Sequence, residues 1–188
     1  DLSCRKHRVY SRDTYFIEND RFKVGVRLVW GGGICYISDN LNPVDGLQNL
    51  VNQADEGRLI QQSYYGTGEN EEYSPGYFNN HRWRYNPVQG GDKCANHSRI
   101  IDIIDGDGGV YVKAQPQDWS LDGAITPSYM ENTYTLTSDF IFVENRFVDF
   151  SGWQHPPAHQ ELPAFYTVSY LDNFRHYDGD KPWTNDSV

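Results

Sequence analysis

The block Asn49-Leu50-Val51-Asn52-Gln53-Ala54-Asp55-Glu56-Gly57-Arg58-Leu59-Ile60-Gln61-Gln62-Ser63-Tyr64-Tyr65 gathers amide, carboxylate, guanidinium and phenol groups around few apolar residues. A strand over residues 59–65 would put Gln61, Ser63 and Tyr65 on one face. Such a face offers hydrogen-bond donors, acceptors and flat rings together. Sugars need that mixture, because their hydroxyls pair with amide, carboxylate and guanidinium groups while their C–H faces stack on aromatic rings. Asp55, Arg58, Gln61 and Tyr65 are the candidates here. The plain alternative is a polar sheet face with an Asp55–Arg58 turn bond.

A second cluster runs from Phe78 to Asp92 (FNNHRWRYNPVQGGD). His81 is a candidate acid or base, since imidazole titrates near neutral pH. Trp83 and Tyr85 could form a stacking platform, with Gln89 and Asp92 as polar partners. The alternative is that Trp83 belongs to the core and His81 bonds a loop carbonyl. A third cluster, WQHPPAHQELPAFY from Trp153 to Tyr166, holds two histidines and a glutamate in a proline-stiffened segment. Glu161 is the best single general-base candidate and His159 a binding candidate. His155 and His159 are four apart, but Pro156 and Pro157 disfavour the helix that would make them a metal pair. The run DIIDGDGG from Asp102 hints at calcium, yet it fits no EF-hand spacing and reads more simply as a hairpin turn. There is no GxSxG elbow, P-loop or dinucleotide fingerprint. Neither a cofactor nor a metal is implied.

The elements that must position these groups are short. The chain has 188 residues, 38% hydrophobic but 15% aromatic, so one domain is expected with an aromatic-rich core. From Phe22 to Trp30 apolar residues fall on every second position, the period of a half-buried strand. Gly31-Gly32-Gly33 then interrupts it before β character resumes at Ile34. Further strands are expected at 59–65, 99–104, 110–114, 133–137, 140–143, 147–150 and 165–170. One helical turn is expected at 48–53, and a long polar loop over 66–93. Glycine, proline, asparagine and aspartate punctuate the rest, so the expected fold is an all-β antiparallel sandwich with very little helix. Residues 1–21 read as an N-terminal arm and 22–188 as a single domain.

With 16 Lys+Arg against 26 Asp+Glu the net charge is −10. That balance argues against nucleic acid and anionic membranes as partners. No stretch reaches the roughly 20 apolar residues of a spanning helix. A start at Asp1 is what a cleaved secretory signal would leave, so a secreted, extracellular protein is expected. Asn96-His97-Ser98 and Asn185-Asp186-Ser187 match the N-glycosylation rule, which would make this a glycoprotein. Cys4, Cys35 and Cys94 are odd in number and lack zinc spacing. One Cys35–Cys94 disulfide is expected, anchoring the long loop, with Cys4 left for an intermolecular bond or self-assembly.

The GGG-interrupted strand pair, NLVNQADEGRLIQQSYY, YNPVQGGD, HQELPAFY and YDGDKPWTND together resemble secreted proteins of the galactose-mutarotase-like β-supersandwich type. The resemblance runs from about Phe22 onward. It implies a carbohydrate-active or carbohydrate-binding protein, some relatives being polysaccharide lyases or glycosidases. The mutarotase histidine pair has no residue-by-residue match here. The chain is also short for a complete supersandwich, which leaves open whether it is a portion of a longer protein. Two readings follow. In one the protein cleaves or isomerises an extracellular glycan, with Glu161, His81 and Tyr65 moving protons and Arg58 neutralising a uronate. In the other it is a non-catalytic glycan-binding or assembly-forming module. Glu161, His81 and Arg58 converging in one pocket would favour the first.

Overall fold

The structure, a computed structural model, describes residues 14–175. Cys4 and the Asn185 sequon lie outside the described residues. In chain order the elements are β1 (Thr14–Glu18), β2 (Phe22–Arg27), a 3-10 turn (Leu28–Trp30), β3 (Gly33–Asp39), β4 (Ile60–Ser63), β5 (Tyr77–Phe78), β6 (His81–Arg82) and β7 (Pro87–Val88). They continue as β8 (Arg99–Gly106), β9 (Gly109–Gln115), β10 (Gln117–Asp118), β11 (Ser128–Leu136), β12 (Ile141–Asp149) and β13 (Glu161–Phe165). All pairings are antiparallel, as the punctuation of short strands requires.

The larger sheet is ordered β1-β2-β3-β4-β7-β10, with β13 also pairing β4. The smaller is ordered β12-β11-β9-β8. The two pack face to face, because alternating positions on each carry the apolar residues: Val24, Val26, Ile34 and Ile60 from one sheet meet Val110, Val112, Tyr134 and Leu136 from the other. Each such side chain stabilises the fold by about 1.5–3 kcal/mol on burial.

The alternation of β2 stops short of Trp30, since the chain enters the 3-10 turn and then Gly31 and Gly32 at φ 58° and 73°. A Cβ on Gly31 would lie 1.8 Å from the Gln89 carbonyl, and one on Gly32 2.4 Å from Val112, so both space and dihedral demand glycine. β1 occupies part of the segment read as an arm and pairs with β2 along its length, from Thr14 opposite Arg27 to Glu18 opposite Lys23. β12 runs through the two separate strands expected at 140–143 and 147–150. The acidic run forms the β8–β9 hairpin, with Gly106 opposite Gly109 and Gly108 at φ 69°.

Three expectations are corrected. The helical turn at 48–53 does not form. The Asn49 side chain instead accepts from Ile37 and Val51 N–H and donates to the Cys35 carbonyl, tying this segment to β3. The last strand is β13, ending at Phe165 rather than beginning there, because 161–165 is the stretch that finds a partner edge on β4. Cys35 is a free thiol, 2% exposed on β3, so the expected Cys35–Cys94 bond is absent. The loop over 66–93 contains the β5–β6 hairpin, whose turn residues Asn79 and Asn80 take positive φ, as a two-residue turn requires.

Candidate functional site

β4 is the organising strand. Its register puts Ser63 opposite Glu161 of β13 on one edge and pairs it with Val88 of β7. The chain on either side of β4 supplies Asp55 and Arg58 before it and Tyr65 after it. Around them opens a cleft of about 620 Å³.

The lining closes on itself as a ring of contacts. Ser63 Oγ accepts from Asn86 Nδ2 at 3.0 Å, and Asn86 Oδ1 accepts from Trp83 Nε1 at 3.0 Å. Trp83 meets Phe78 edge-on at 5.2 Å, and Phe78 meets Trp119 at 5.5 Å. Trp119 lies against Gly57, where an added Cβ would fall 2.8 Å from the indole. Gly57 N–H donates to Asp55 Oδ1 at 3.0 Å, and Asp55 Oδ2 lies 3.5 Å from Arg58 Nε. Arg58 and Asp55 bear on the Tyr166 hydroxyl, which also feels Glu161. Glu161 and Ser63 in turn bear on the Tyr65 hydroxyl, which completes the circuit. One sector is therefore aromatic, with Trp83, Phe78 and Trp119. The other is ionic and phenolic, with Asp55, Arg58, Tyr166, Glu161 and Tyr65.

Burial first, and then the Glu161 charge, raise the Tyr65 phenol above its ordinary value, against an opposing hydrogen bond from Ser63. Tyr166 is raised by the same two causes, with Arg58 pulling it down. Both phenols stay protonated at neutral pH and serve as proton donors. Arranged so, the cleft can stack a flat apolar face, accept hydroxyl hydrogens at Glu161, and donate from two phenols and a guanidinium.

Six of the eleven residues singled out from the sequence line this cleft: Asp55, Arg58, Tyr65, Trp83, Asp92 and Glu161. Asp92 does so with a spent carboxylate. Its Oδ1 accepts from the N–H of Cys94 and Asn96, and its Oδ2 from Asn96 Nδ2 and Gly123 N–H, all within 2.9 Å. Burial still raises its carboxyl, with the Gly123 and Asn96 donors pulling the other way. It staples the 92–96 turn. Asn96 Nδ2, where a glycan would attach, also donates to Asp122 at 2.7 Å.

The other five lie elsewhere. Gln61 is buried and clamps the loop, donating to the Glu56 carbonyl at 2.8 Å and accepting from Gly90 N–H at 2.7 Å. Gln89 is fully buried, accepting from Gln62 N–H and donating to the Gly31 carbonyl, both at 2.9 Å. Tyr85 is a core residue stacked 5.4 Å from His155, its hydroxyl 3.2 Å from Asp149. Backbone has claimed the two glutamines, and the Asp149 carboxylate and the His155 ring have claimed Tyr85. His81 is exposed on β6, opposite Phe78 of β5, and lies outside the cleft lining. His159 is exposed in the segment before β13 and also lies outside the lining.

His155, Ser151 and Asp149 meet but form no catalytic triad. Both Ser151 Oγ and Asp149 Oδ2 approach the same nitrogen, Nε2, at 3.3 Å, while Nδ1 accepts from Thr67 N–H. Among the described residues no group of His, Cys, Asp and Glu could hold a metal ion, and no helix is long and apolar enough to cross a membrane.

Sequence reasoning missed Trp119 and Tyr166 as lining residues. Trp119 stands in QPQDWS, outside the three clusters, and Tyr166 closes the third cluster within an expected strand.

No protein-family model matches the chain, and no curated protein matches it. Among solved structures the chain is similar to 4-alpha-glucanotransferase from Thermococcus litoralis, at 17% identity and a TM-score of 0.44. The alignment covers 71% of this chain and 22% of that one, so this chain spans well under half of that protein's length. At this level of likeness nothing about the cleft follows from it.

Proposed function

We propose that this is a secreted carbohydrate-active protein whose cleft binds an extracellular poly- or oligosaccharide. The observation that carries this reading is the ring-shaped lining, with three aromatic rings in one sector and Asp55, Arg58, Tyr65, Glu161 and Tyr166 in the other. Pyranoses present an apolar C–H face and an edge of hydroxyls, and these two sectors match the two. The resemblance of NLVNQADEGRLIQQSYY and HQELPAFY to galactose-mutarotase-like β-supersandwich proteins supports the same class.

A second reading, catalysis in the same cleft, is favoured by one juxtaposition: the Tyr65 phenol and the Glu161 carboxylate both line the cleft, near enough for the Glu161 charge to raise the phenol. A protonated phenol beside a carboxylate offers a proton donor and a proton acceptor. Asp55 supplies a further carboxylate, as bond-cleaving glycosidases need two, although the Gly57 N–H and Arg58 hold it.

The test is a glycan-array screen followed by product analysis on each hit. Trp83→Ala should weaken binding at least tenfold in a protein that melts normally. Glu161→Gln should abolish turnover and retain binding if the cleft is catalytic. A folded protein that binds no saccharide overturns the proposal.

A further inference from the structure

Resting on the saccharide reading of the cleft, we infer that its ligand is an uncharged or amine-bearing saccharide and that uronates and sulfated glycans are excluded. The expected partner for a uronate was Arg58, but that charge is already offset. Its Nε lies 3.5 Å from Asp55 Oδ2, and Asp55 is fixed in the turn by Gly57 N–H at 3.0 Å. The lining holds four carboxylates, on Asp55, Glu56, Asp92 and Glu161, against two cations, on Arg58 and Lys93.

The carboxylates differ in what satisfies them. Asp92 has four N–H donors. Glu56 is buried beside His97 at 3.7 Å. Asp55 has Arg58. Lys93, for its part, hydrogen-bonds the Tyr77 carbonyl. Glu161 stands apart. Among the described residues no cation pairs with it, and its charge bears on the Tyr65 hydroxyl beside it. One phenol cannot fill the four acceptor sites of a carboxylate, so Glu161 offers its remaining lone pairs to the cleft. Sugar hydroxyls and an ammonium group fit such an acceptor. A carboxylate or sulfate meets repulsion there, strongest at low ionic strength. Beyond the cleft, the net charge of −10 repels polyanions during approach. The indoles of Trp83 and Trp119 supply faces that tolerate neutral rings and attract ammonium groups.

The experiment is an affinity comparison, by calorimetry at low and at physiological ionic strength, across neutral, glucosamine-containing, galacturonate and sulfated oligosaccharides of matched length. Neutral or amine-bearing probes should bind, with the anionic probes weaker by about tenfold or more and the gap narrowing as salt rises. Glu161→Gln should shrink that gap about tenfold. Arg58→Ala, which bares Asp55, should widen it and serves should the first variant fail to fold. Tightest binding of a galacturonate or sulfated probe overturns the inference and leaves the saccharide reading intact. An unchanged gap in both variants also overturns it. Failure of every probe, in protein shown to unfold cooperatively, overturns the saccharide reading itself.

Discussion

Replacing Gln89 by leucine separates a residue that holds the fold from one that holds a ligand. The side chain is fully buried; its Oε1 accepts from Gln62 N–H at 2.9 Å, and its Nε2 donates to the Gly31 carbonyl at 2.9 Å and reaches the Tyr134 hydroxyl at 3.3 Å. It thereby joins β4, the glycine turn and β11. Leucine keeps the volume and removes every polar partner. Tyr134 keeps its bond to the Gly32 carbonyl at 2.8 Å, so two backbone groups are stranded, Gln62 N–H and Gly31 C=O. Each stranded group costs about 1–3 kcal/mol, and the new apolar contacts return about 1 kcal/mol, so the net loss should be about 3 kcal/mol. For a domain of this size that is a fall in Tm of roughly 6–12 °C. Urea unfolding with an unchanged m-value measures it. Gln89→Glu supplies a cross-check, since the carboxyl so introduced sets an oxygen against the Gly31 carbonyl when ionised and can donate to it when protonated. That variant should recover stability as pH falls. A Gln89→Leu protein as stable as the parent refutes the accounting, and normal stability with lost saccharide binding would return Gln89 to the ligand site.

Tyr73, Tyr85 and Tyr134 all have phenols raised well above the ordinary value, chiefly by burial. A raised folded value means that their stability contribution is whole below about pH 10 and is lost as pH climbs past it. The urea midpoint should therefore fall above that pH, with phenolate absorbance from these residues appearing only on unfolding; free titration of every tyrosine in the folded protein would contradict this. Cys35 is buried, its thiol raised by that burial against weaker pulls from Thr14 and Arg27. It should resist alkylation until denaturant is added, and non-reducing peptide maps should not link it to Cys94; reaction in the native state, or such a link, would show that β3 is packed otherwise.

Much of the fold could be read from the sequence because strand periodicity is a property of the residues themselves. Val24, Val26, Val110 and Val112 announce buried faces by alternation, and Gly31-Gly32-Gly33 announces a turn by its lack of Cβ atoms. What escaped was decided by partners distant in sequence. β13 lies where it does because β4 has an open edge, and nothing in ELPAF says so. The 48–53 segment forms no helical turn because Asn49 finds backbone groups on β3 and at Val51. Cys35 and Cys94 look alike as letters and both are buried, and only the structure shows that Cys35, on β3, is a free thiol.

The candidate site shows the same division more sharply. Gln61, Gln89, Asp92, Glu161 and Tyr65 share a chemical description, yet hydrogen-bonding capacity divides them. Irregular backbone must find partners when buried, and Glu56 and most of 89–96 are irregular and buried. Gln61 gives both ends of its amide to that need, Gln89 gives both ends of its own, and Asp92 gives all four acceptor positions. These three cannot turn to a ligand without stranding a backbone group, at about 1–3 kcal/mol each time. Glu161 sits on β13 opposite Ser63, and among the described residues no backbone group claims its carboxylate, which holds capacity in reserve. Polar residues within reach of irregular backbone are therefore drawn into structure even from a strand, as Gln61 is on β4, while Glu161, on β13 and lining the cleft, remains for chemistry.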